Sequence, residues 1–380
     1  MGSYTVQYNM DGLIICIFKA MQWKRIRPWL LPLLLAVFIK IFSFFPHLVE
    51  KYYSTGVYPW ISRVLRILFG WIPFSMGDIL YAAVFIYGLF SVIRFVTRAF
   101  RRQLHRSFLM LSLKRLLAEI LWVYLIFNIF WGLNYDRMPL GSRLGLEEKM
   151  YSKDELKTLV GLMVSRMNET DSASRRARPL LAKIDTVFQH SIQAYRGLSR
   201  EYPSISYPNP SVKFSFYGYL MNYMGFSGYY NPFSGEAQVN TTIPTFVQPF
   251  VSCHEIGHQL GYAKEEEANF CGFLATKTSS DPAFRYSVYL DIYLYSANAL
   301  YLLDSTAFIP YRESLKPSVR QDLRDLRSFY QKYQNPFEPL LRRMYGDYLK
   351  ANRQPQGLNA YDEVIGLAIA YYRKYGADAF

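Results

Sequence analysis

Cysteine and histidine are both scarce in this chain of 380 residues, which holds three of the first and five of the second. Three cysteines, Cys16, Cys253 and Cys271, do not make a disulfide framework. Cys253 and Cys271 could pair in an oxidising compartment, but two buried small apolar residues are the plainer expectation. No cleavable signal is expected either: "GLIICIFKAMQWKR" has a short apolar core, no small-residue cleavage pattern and its charges on the wrong side. "MGSYTV" lacks the myristoylation pattern because position 6 is Val. Acidic residues are few in the N-terminal third. Residues 1–140 carry 16 Lys/Arg against 5 Asp/Glu, whereas the remaining 240 carry 27 against 24. The net charge of +14 is therefore concentrated where it flanks apolar runs. That is a membrane pattern, and it argues against nucleic acid as a partner.

What is abundant is apolar and aromatic: 51% and 18% of the chain, with 33 Tyr and 28 Phe. Three runs are long enough to be expected as membrane spans, at about 29–45, 72–93 and 116–133. The stretch 61–71, "ISRVLRILFGW", is too basic and too short for a fourth and reads as an interfacial amphipathic segment. Lys24, Arg25 and Arg27 precede the first run. Six cations and no acid lie between the second and third, at Arg98, Arg101, Arg102, Arg106, Lys114 and Arg115. By the positive-inside bias both segments are cytoplasmic. The expected layout is a cytoplasmic N-terminus (1–28), a three-helix membrane region in contact with lipid (29–135) and a domain outside the cytoplasm (136–380).

In that outer domain "SKDEL" is a capping box, with Ser152 as N-cap and Glu155 three positions on, opening a helix to about 167. The polar stretch "NETDSASRRAR" is expected to break it before a second helix at about 179–200. Prolines, glycines and alternating aromatics over 201–240 predict turns and short strands. From Pro244 onward the pattern is helical. The fold class expected is membrane-anchored α+β, mostly helical, with a small sheet just before residue 253.

Residues 253–265 read "CHEIGHQLGYAKE". On a helix, His254 and His258 project from one face one turn apart, which suits two neighbouring positions on a tetrahedral Zn2+. Glu255 is one step round, placed to take a proton from a water on the metal rather than to bind the metal itself. Pro249 is tolerated in a first turn, and Gly261 stands where a glycine would end the helix. His47 and His105 fall near the membrane region and His190 in another predicted helix, so a nearby acid is the more economical third ligand. A second helix is expected from "KEEEANFCGFLATK". Glu265 shares a face with Ala268, Asn269, Gly272 and Ala275, small enough for close approach to the first helix. Glu265 is therefore favoured. Glu266 and Glu267 remain alternatives, and acids not used as ligand would complement the helix dipole.

"HEIGH" followed by "EEEAN" resembles the zincin superfamily of metallopeptidases in its glutamate-ligand branch. There a second helix with a Glu-x-x-Ala-Asp/Asn pattern supplies the third ligand, and Glu265 to Asn269 match that pattern. The connection between His258 and Glu265 is very short, similar to the tight glycine turn of another zincin branch whose ligand falls at Lys264 here. Lysine is a poor ligand while protonated. Over most of its length the chain also resembles an uncharacterised bacterial membrane family. Its members have three N-terminal spans, a "WGLNY" segment (131–135), a "GYYNPFSGEAQVN"-like stretch and then "HE..HQLG" with "EEEANF". The resemblance implies a peptidase-like fold in the bacterial inner membrane and supplies no substrate.

The function expected is a membrane-anchored zinc metallopeptidase that hydrolyses a peptide or protein of the cell envelope, with Glu255 catalytic and His254, His258 and Glu265 on the metal. The alternative is a non-hydrolytic zincin-fold sensor or assembly protein. "SGEAQVN" (234–240) is a candidate edge strand for an extended peptide. Tyr229, Tyr230 and the tyrosines of 285–303 are candidates to steady an oxyanion. Asn269 is a candidate to orient a ligand histidine.

Overall fold

The computed structural model describes residues 29–147, 149–352, 354 and 361–380. Cys16, the basic cluster Lys24, Arg25 and Arg27, and the segment expected to be a cytoplasmic N-terminus lie outside these residues. The architecture is mostly helical with one three-stranded sheet.

The membrane third departs from expectation. Helix α1 (Trp29–Phe42) meets α2 (Pro46–Phe69) at a bend of 104°. At 1.5 Å per residue α1 is about 21 Å long, short of the roughly 30 Å of bilayer hydrocarbon. Helix α3 (Met76–Phe100) has 25 residues and is long and apolar enough to cross a membrane, with none of its apolar window buried in the protein. Helix α4 (Arg106–Phe130) returns beside it: Phe95 stacks on Phe108 at 6.2 Å, and Tyr87 Oη donates to Glu119 at 2.8 Å. The expected span at 116–133 fails because Lys114, Arg115 and Glu119 leave α4 no membrane-length apolar window. One helix qualifies, or two if the bent α1–α2 pair is a single span, and not three.

Helix α2 is amphipathic in an unusual sense. Tyr58, Ser62, Leu65 and Arg66 face inward, while Trp60, Val64, Ile67 and Leu68 face out. A polar inner face can be tolerated because it has partners, described below.

Helix α5 (Lys153–Leu181) opens with the expected capping box at Ser152 and Glu155. It then runs straight through the polar stretch expected to end it. Arg175 and Arg178 reach Asp322 at 2.9 and 2.7 Å, so these residues form one face of a helix whose partners lie far along the chain. Helix α6 (Ile184–Glu201) follows. The sheet then forms from β1 (Val212–Phe214), β2 (Gly228–Asn231) and β3 (Glu236–Val239), with the short helix α7 (Gly218–Met224) between β1 and β2. The order is β1-β3-β2, with β1 parallel to β3 (Val212 opposite Ala237) and β2 antiparallel to it (Gly228 opposite Val239). The candidate edge strand 234–240 is thus the central strand. The edges belong to β1 and β2.

Beyond the sheet lie α8 (Gln248–Gln259), α9 (Glu265–Lys277), α10 (Pro282–Leu303), α11 (Ser305–Glu313), α12 (Pro317–Tyr333), α13 (Glu338–Ala351) and α14 (Tyr361–Tyr375). Helices α8 and α9 pack with almost no side-chain spacer. A Cβ on Gly257 would stand 3.1 Å from the Ala268 carbonyl oxygen, and one on Gly272 would stand 3.2 Å from the His254 nitrogen. Glycine at both positions lets the two backbones approach.

The membrane-proximal helices are tied to this body by hydrogen bonds as well as packing. The Glu236 carboxylate on β3 accepts from the Met76 and Gly77 nitrogens at 3.2 and 2.7 Å, capping the positive end of α3. Asp78, buried in the first turn of α3, accepts from the Phe216 nitrogen at 2.6 Å and from the Tyr229 hydroxyl. A shared core joins Ile39, Tyr53, Tyr58, Leu125 and Trp131 to Tyr230 and Ala263. The expected boundary at 135/136 falls inside this core.

Candidate metal centre

Helix α8 carries His254, Glu255 and His258 on one turn. One donor atom from each lies within 4.8 Å of the others, so the three could hold a metal ion. Leu260 caps the helix, Gly261 takes φ +88° in the left-handed region, and Lys264 begins the next helix. This reversal is what turns α9 back across α8. It brings the Glu265 carboxylate to 3.5 Å from His254 Nε2 and 3.6 Å from His258 Nε2.

An N–H···O hydrogen bond is about 2.7 to 3.2 Å. Around zinc, with ligand bonds of about 2.0 to 2.1 Å, tetrahedral neighbours stand about 3.3 to 3.4 Å apart. The two Glu265–imidazole separations are too long for good hydrogen bonds and close to an edge of such a tetrahedron. The imidazole orientations agree. His258 Nδ1 is 2.8 Å from the Tyr262 carbonyl oxygen, which fixes that nitrogen as the donor and leaves Nε2 free as a ligand atom. His254 stands with its ring nearly perpendicular to His258, at 4.6 Å between centroids. Asn269 lies beside His254, and neither His254 Nδ1 nor Asn269 Nδ2 has a hydrogen-bond partner. Turning the amide to present its oxygen would satisfy the imidazole. Glu255 is buried with Oε2 unpartnered, pointing to a further polar group that belongs beside it. The donor set fits a zinc ion.

Without a metal, the centre is a compact arrangement of charges. Burial opposes charge on His258, yet the adjacent Glu265 carboxylate raises its pKa to about 9. Glu265 pays desolvation too, but His258 and then His254 hold its pKa at about 2. Burial, reinforced by His258, lowers His254 to about 4. Burial raises Glu255 to about 8, in the range of a general base that works near neutral pH.

Glu266 and Glu267 are directed elsewhere. Glu266 accepts from Gln354 Nε2 at 2.7 Å, and Glu267 accepts from the Leu140 nitrogen at 2.9 Å. Both are buried, and both stand in the first turn of α9, where an acid complements the helix dipole as expected. Of the remaining histidines, His190 pairs with Asp281 at 2.8 Å, and neither His47 nor His105 joins the group. Cys253 and Cys271 are free, buried thiols. Three of the tyrosine candidates have other partners: Tyr229 donates to Asp78, Tyr230 accepts from the Tyr58 hydroxyl at 3.3 Å, and Tyr286 donates to Asp322.

Three contributors escaped the sequence pattern. Tyr345 on α13 donates to Glu265 Oε1 at 2.6 Å from 80 residues away. Gly228, on edge strand β2, sits so close to Glu255 that a Cβ there would meet Oε1 at 2.5 Å. Trp131 donates from Nε1 to the His258 carbonyl oxygen at 3.1 Å and sets its ring edge-on to the imidazole at 6.0 Å. "WGLNY" marked the Trp131 segment as a recurring feature but gave no hint of this contact.

The family model described as "Protein of unknown function (DUF3810)" matches residues 53–369. The chain belongs to this family. No curated protein and no solved structure matches it. The DUF3810 match spans α3, α4 and the whole metal-capable centre. It therefore includes both sides of the shared core that ties them together.

Proposed function

We propose that this DUF3810 protein is a membrane-anchored zinc peptidase, held in the bacterial inner membrane with its metal centre outside the cytoplasm. The observation that carries the reading is the Glu265 carboxylate standing 3.5 and 3.6 Å from the two imidazole Nε2 atoms, with Glu255 alongside. His254, His258 and Glu265 would hold the ion. When bound, zinc supplies Lewis acidity toward a carbonyl oxygen and toward water. Glu255 would take the proton of the attacking water and return it to the leaving amine, as a buried carboxyl with a raised pKa can once the charge of a bound ion favours its ionised form. Tyr345, which donates to Glu265 Oε1, would hold that ligand in place. Asn269 orients His254. Edge strand β2, beside Glu255 at Gly228, offers main-chain pairing to an extended peptide.

Orientation follows from α3. Its N-terminus is bonded to the sheet beside the centre, and Arg98, Arg101, Arg102 and Arg106 cluster at its other end. With that cluster cytoplasmic, the centre lies across the membrane. The non-hydrolytic sensor reading draws support from the burial of Glu255, His258 and Glu265, but a structural zinc site has no use for an unpartnered base. Peptide hydrolysis by purified full-length protein, compared with Glu255→Gln, separates the two. Loss of hydrolysis by about 10²-fold or more with zinc retained supports the peptidase. Hydrolysis unchanged by that substitution, or absent from the zinc-loaded wild type, contradicts it.

A further inference from the structure

A second cavity lies beside the centre, about 700 Å³ in volume, between the membrane-proximal helices and α13. Its lining runs from Ile120 and Val123 on α4, through Ile39 on α1 and Phe127, to Tyr135 and Tyr348. Exposure varies along this path. Val123 is 61% and Ile120 57% exposed, Ile39 is 5% and Tyr135 4% exposed, and Tyr348 is 39% exposed. The cavity is thus open on the α4 side, buried at Ile39 and Tyr135, and partly open at its inner end beside Tyr348.

What surrounds each end indicates the occupant. Around the mouth, Phe38, Leu116 and Leu117 continue the apolar wall outward as exposed side chains. Beside them lies α3, whose apolar window is wholly unburied. Resting on the proposed membrane anchoring, the mouth therefore opens to hydrocarbon rather than to water. At the inner end the Tyr135 and Tyr348 hydroxyls are 3.3 Å apart, and Tyr348 stacks on Tyr345 at 6.1 Å between centroids. Tyr345 in turn holds Glu265. Two tyrosine rings separate the cavity from the metal centre.

We propose that this cavity receives the hydrocarbon chain of a lipid-anchored peptide substrate, entering sideways from the bilayer between α1 and α4. The volume lies within the range of small-molecule pockets, about 300 to 1,000 Å³, and the lining is mostly apolar. A chain seated here is anchored two side chains from the carbonyl-polarising centre. The peptide attached to it would then lie across Glu255 along β2. Binding energy from the remote chain positions the scissile bond.

The test uses the full-length, zinc-loaded Glu255→Gln protein in vesicles of phosphatidylethanolamine and phosphatidylglycerol. The probe is a palmitoylated peptide with a photoactivatable diazirine in its acyl chain, and a phospholipid with the same chain serves as comparison. Mass spectrometry should map the peptide probe to residues around Ile39, Val123 and Tyr348. That labelling should be lost on adding unlabelled palmitoyl peptide, and lost in both Val123→Trp and Ile120→Trp with zinc content unchanged. Peptide-probe labels confined to the outer face of α3 overturn the proposal. So does cavity labelling by the phospholipid that the palmitoyl peptide does not compete away, which identifies a structural lipid. Cavity labelling that requires removal of residues 1–28 assigns the space to the chain's own N-terminal segment and also overturns it. Labelling does not depend on hydrolysis, and vesicle flotation reports anchoring separately, so failure of this proposal is distinct from failure of the peptidase reading.

Discussion

The indole nitrogen of Trp131 donates to the carbonyl oxygen of His258, joining the residue that ends a membrane-proximal helix to a residue of the metal-capable turn. It is one of several such bonds. Tyr58 and Ser62 on α2 both donate to the Gln259 carbonyl oxygen, at 2.8 and 3.2 Å. Arg137 donates to the Gly261 carbonyl oxygen at 2.8 Å while its other edge pairs with Glu50. The last carbonyls of a helix have no partner within it. Here the His258 and Gln259 carbonyls of α8, and the Gly261 carbonyl just past it, are capped by the segment 58–137, so the metal-capable turn is finished by the part of the chain that flanks α3 and α4.

Trp131→Phe keeps an aromatic ring but removes this donor. It should destabilise the protein by about 1 kcal/mol, the net value of one hydrogen bond, and weaken zinc binding measurably in a chelator competition. The isolated segment 136–380 keeps Arg137 but lacks the caps from Tyr58, Ser62 and Trp131, and should not hold stoichiometric zinc. A soluble, zinc-loaded 136–380 fragment would refute the idea that the membrane-proximal segment completes the centre.

Gly272→Ala places a methyl group 3.2 Å from the His254 nitrogen, where backbone rather than a flexible side chain must give way. Overpacking of this kind costs about 1 to 3 kcal/mol. Thermal unfolding of the variant should show that loss, together with weaker zinc retention as α9 and Glu265 are pushed off α8.

Gly228→Ala acts on the base instead of the metal. Its Cβ would meet Glu255 Oε1 at 2.5 Å and the Gln238 carbonyl oxygen at 2.8 Å, so the carboxylate and the β2–β3 pairing must give way while the ligand residues, on α8 and α9, are not touched. Hydrolysis should fall with zinc content unchanged. Zinc loss comparable to that of Gly272→Ala would show that Gly228 serves the fold and not the base.

Proton linkage has a definite sign. Metal-free, His258 and Glu255 have pKa values raised from 6.5 to about 9 and from 4.5 to about 8. A raised folded pKa stabilises below the unfolded value and is lost as pH climbs through the folded one. The metal-free protein should therefore lose stability between pH 4.5 and about 9, through Glu255 first and His258 above pH 6.5, relative to the zinc-loaded form. Both groups are protonated at pH 7, and zinc must displace the His258 proton to bind. Titration calorimetry in buffers of different ionisation enthalpy should report at least one proton released at pH 7 and none above pH 10.

Most of the centre was legible because its geometry is local. The spacing of His254 and His258, the stop at Gly261 and the small-residue face shared by Glu265, Gly272 and Ala275 all follow from helix periodicity over about two dozen residues. What was not legible depends on distant partners. The polar stretch in α5 looks like a break until Asp322 answers Arg175 and Arg178. Strand 236–239 looks like an edge until β1 and β2 flank it. Tyr345 carries no local signal at all, since only the tertiary fold brings α13 over Glu265. The span count failed for a different reason. Apolar residues on α4 suggested a crossing, but its charges shorten the uninterrupted apolar run.

The account stands most directly on where a metal binds. Diffraction from crystals of the full-length protein, recorded on either side of the zinc absorption edge, locates the ion without reference to activity. The account predicts one anomalous peak about 2.0 to 2.2 Å from His254 Nε2, His258 Nε2 and a Glu265 oxygen, with Glu255 outside the coordination shell. A zinc-loaded crystal with no peak there, or with the ion held by Glu266 or Glu267 in place of Glu265, would contradict it.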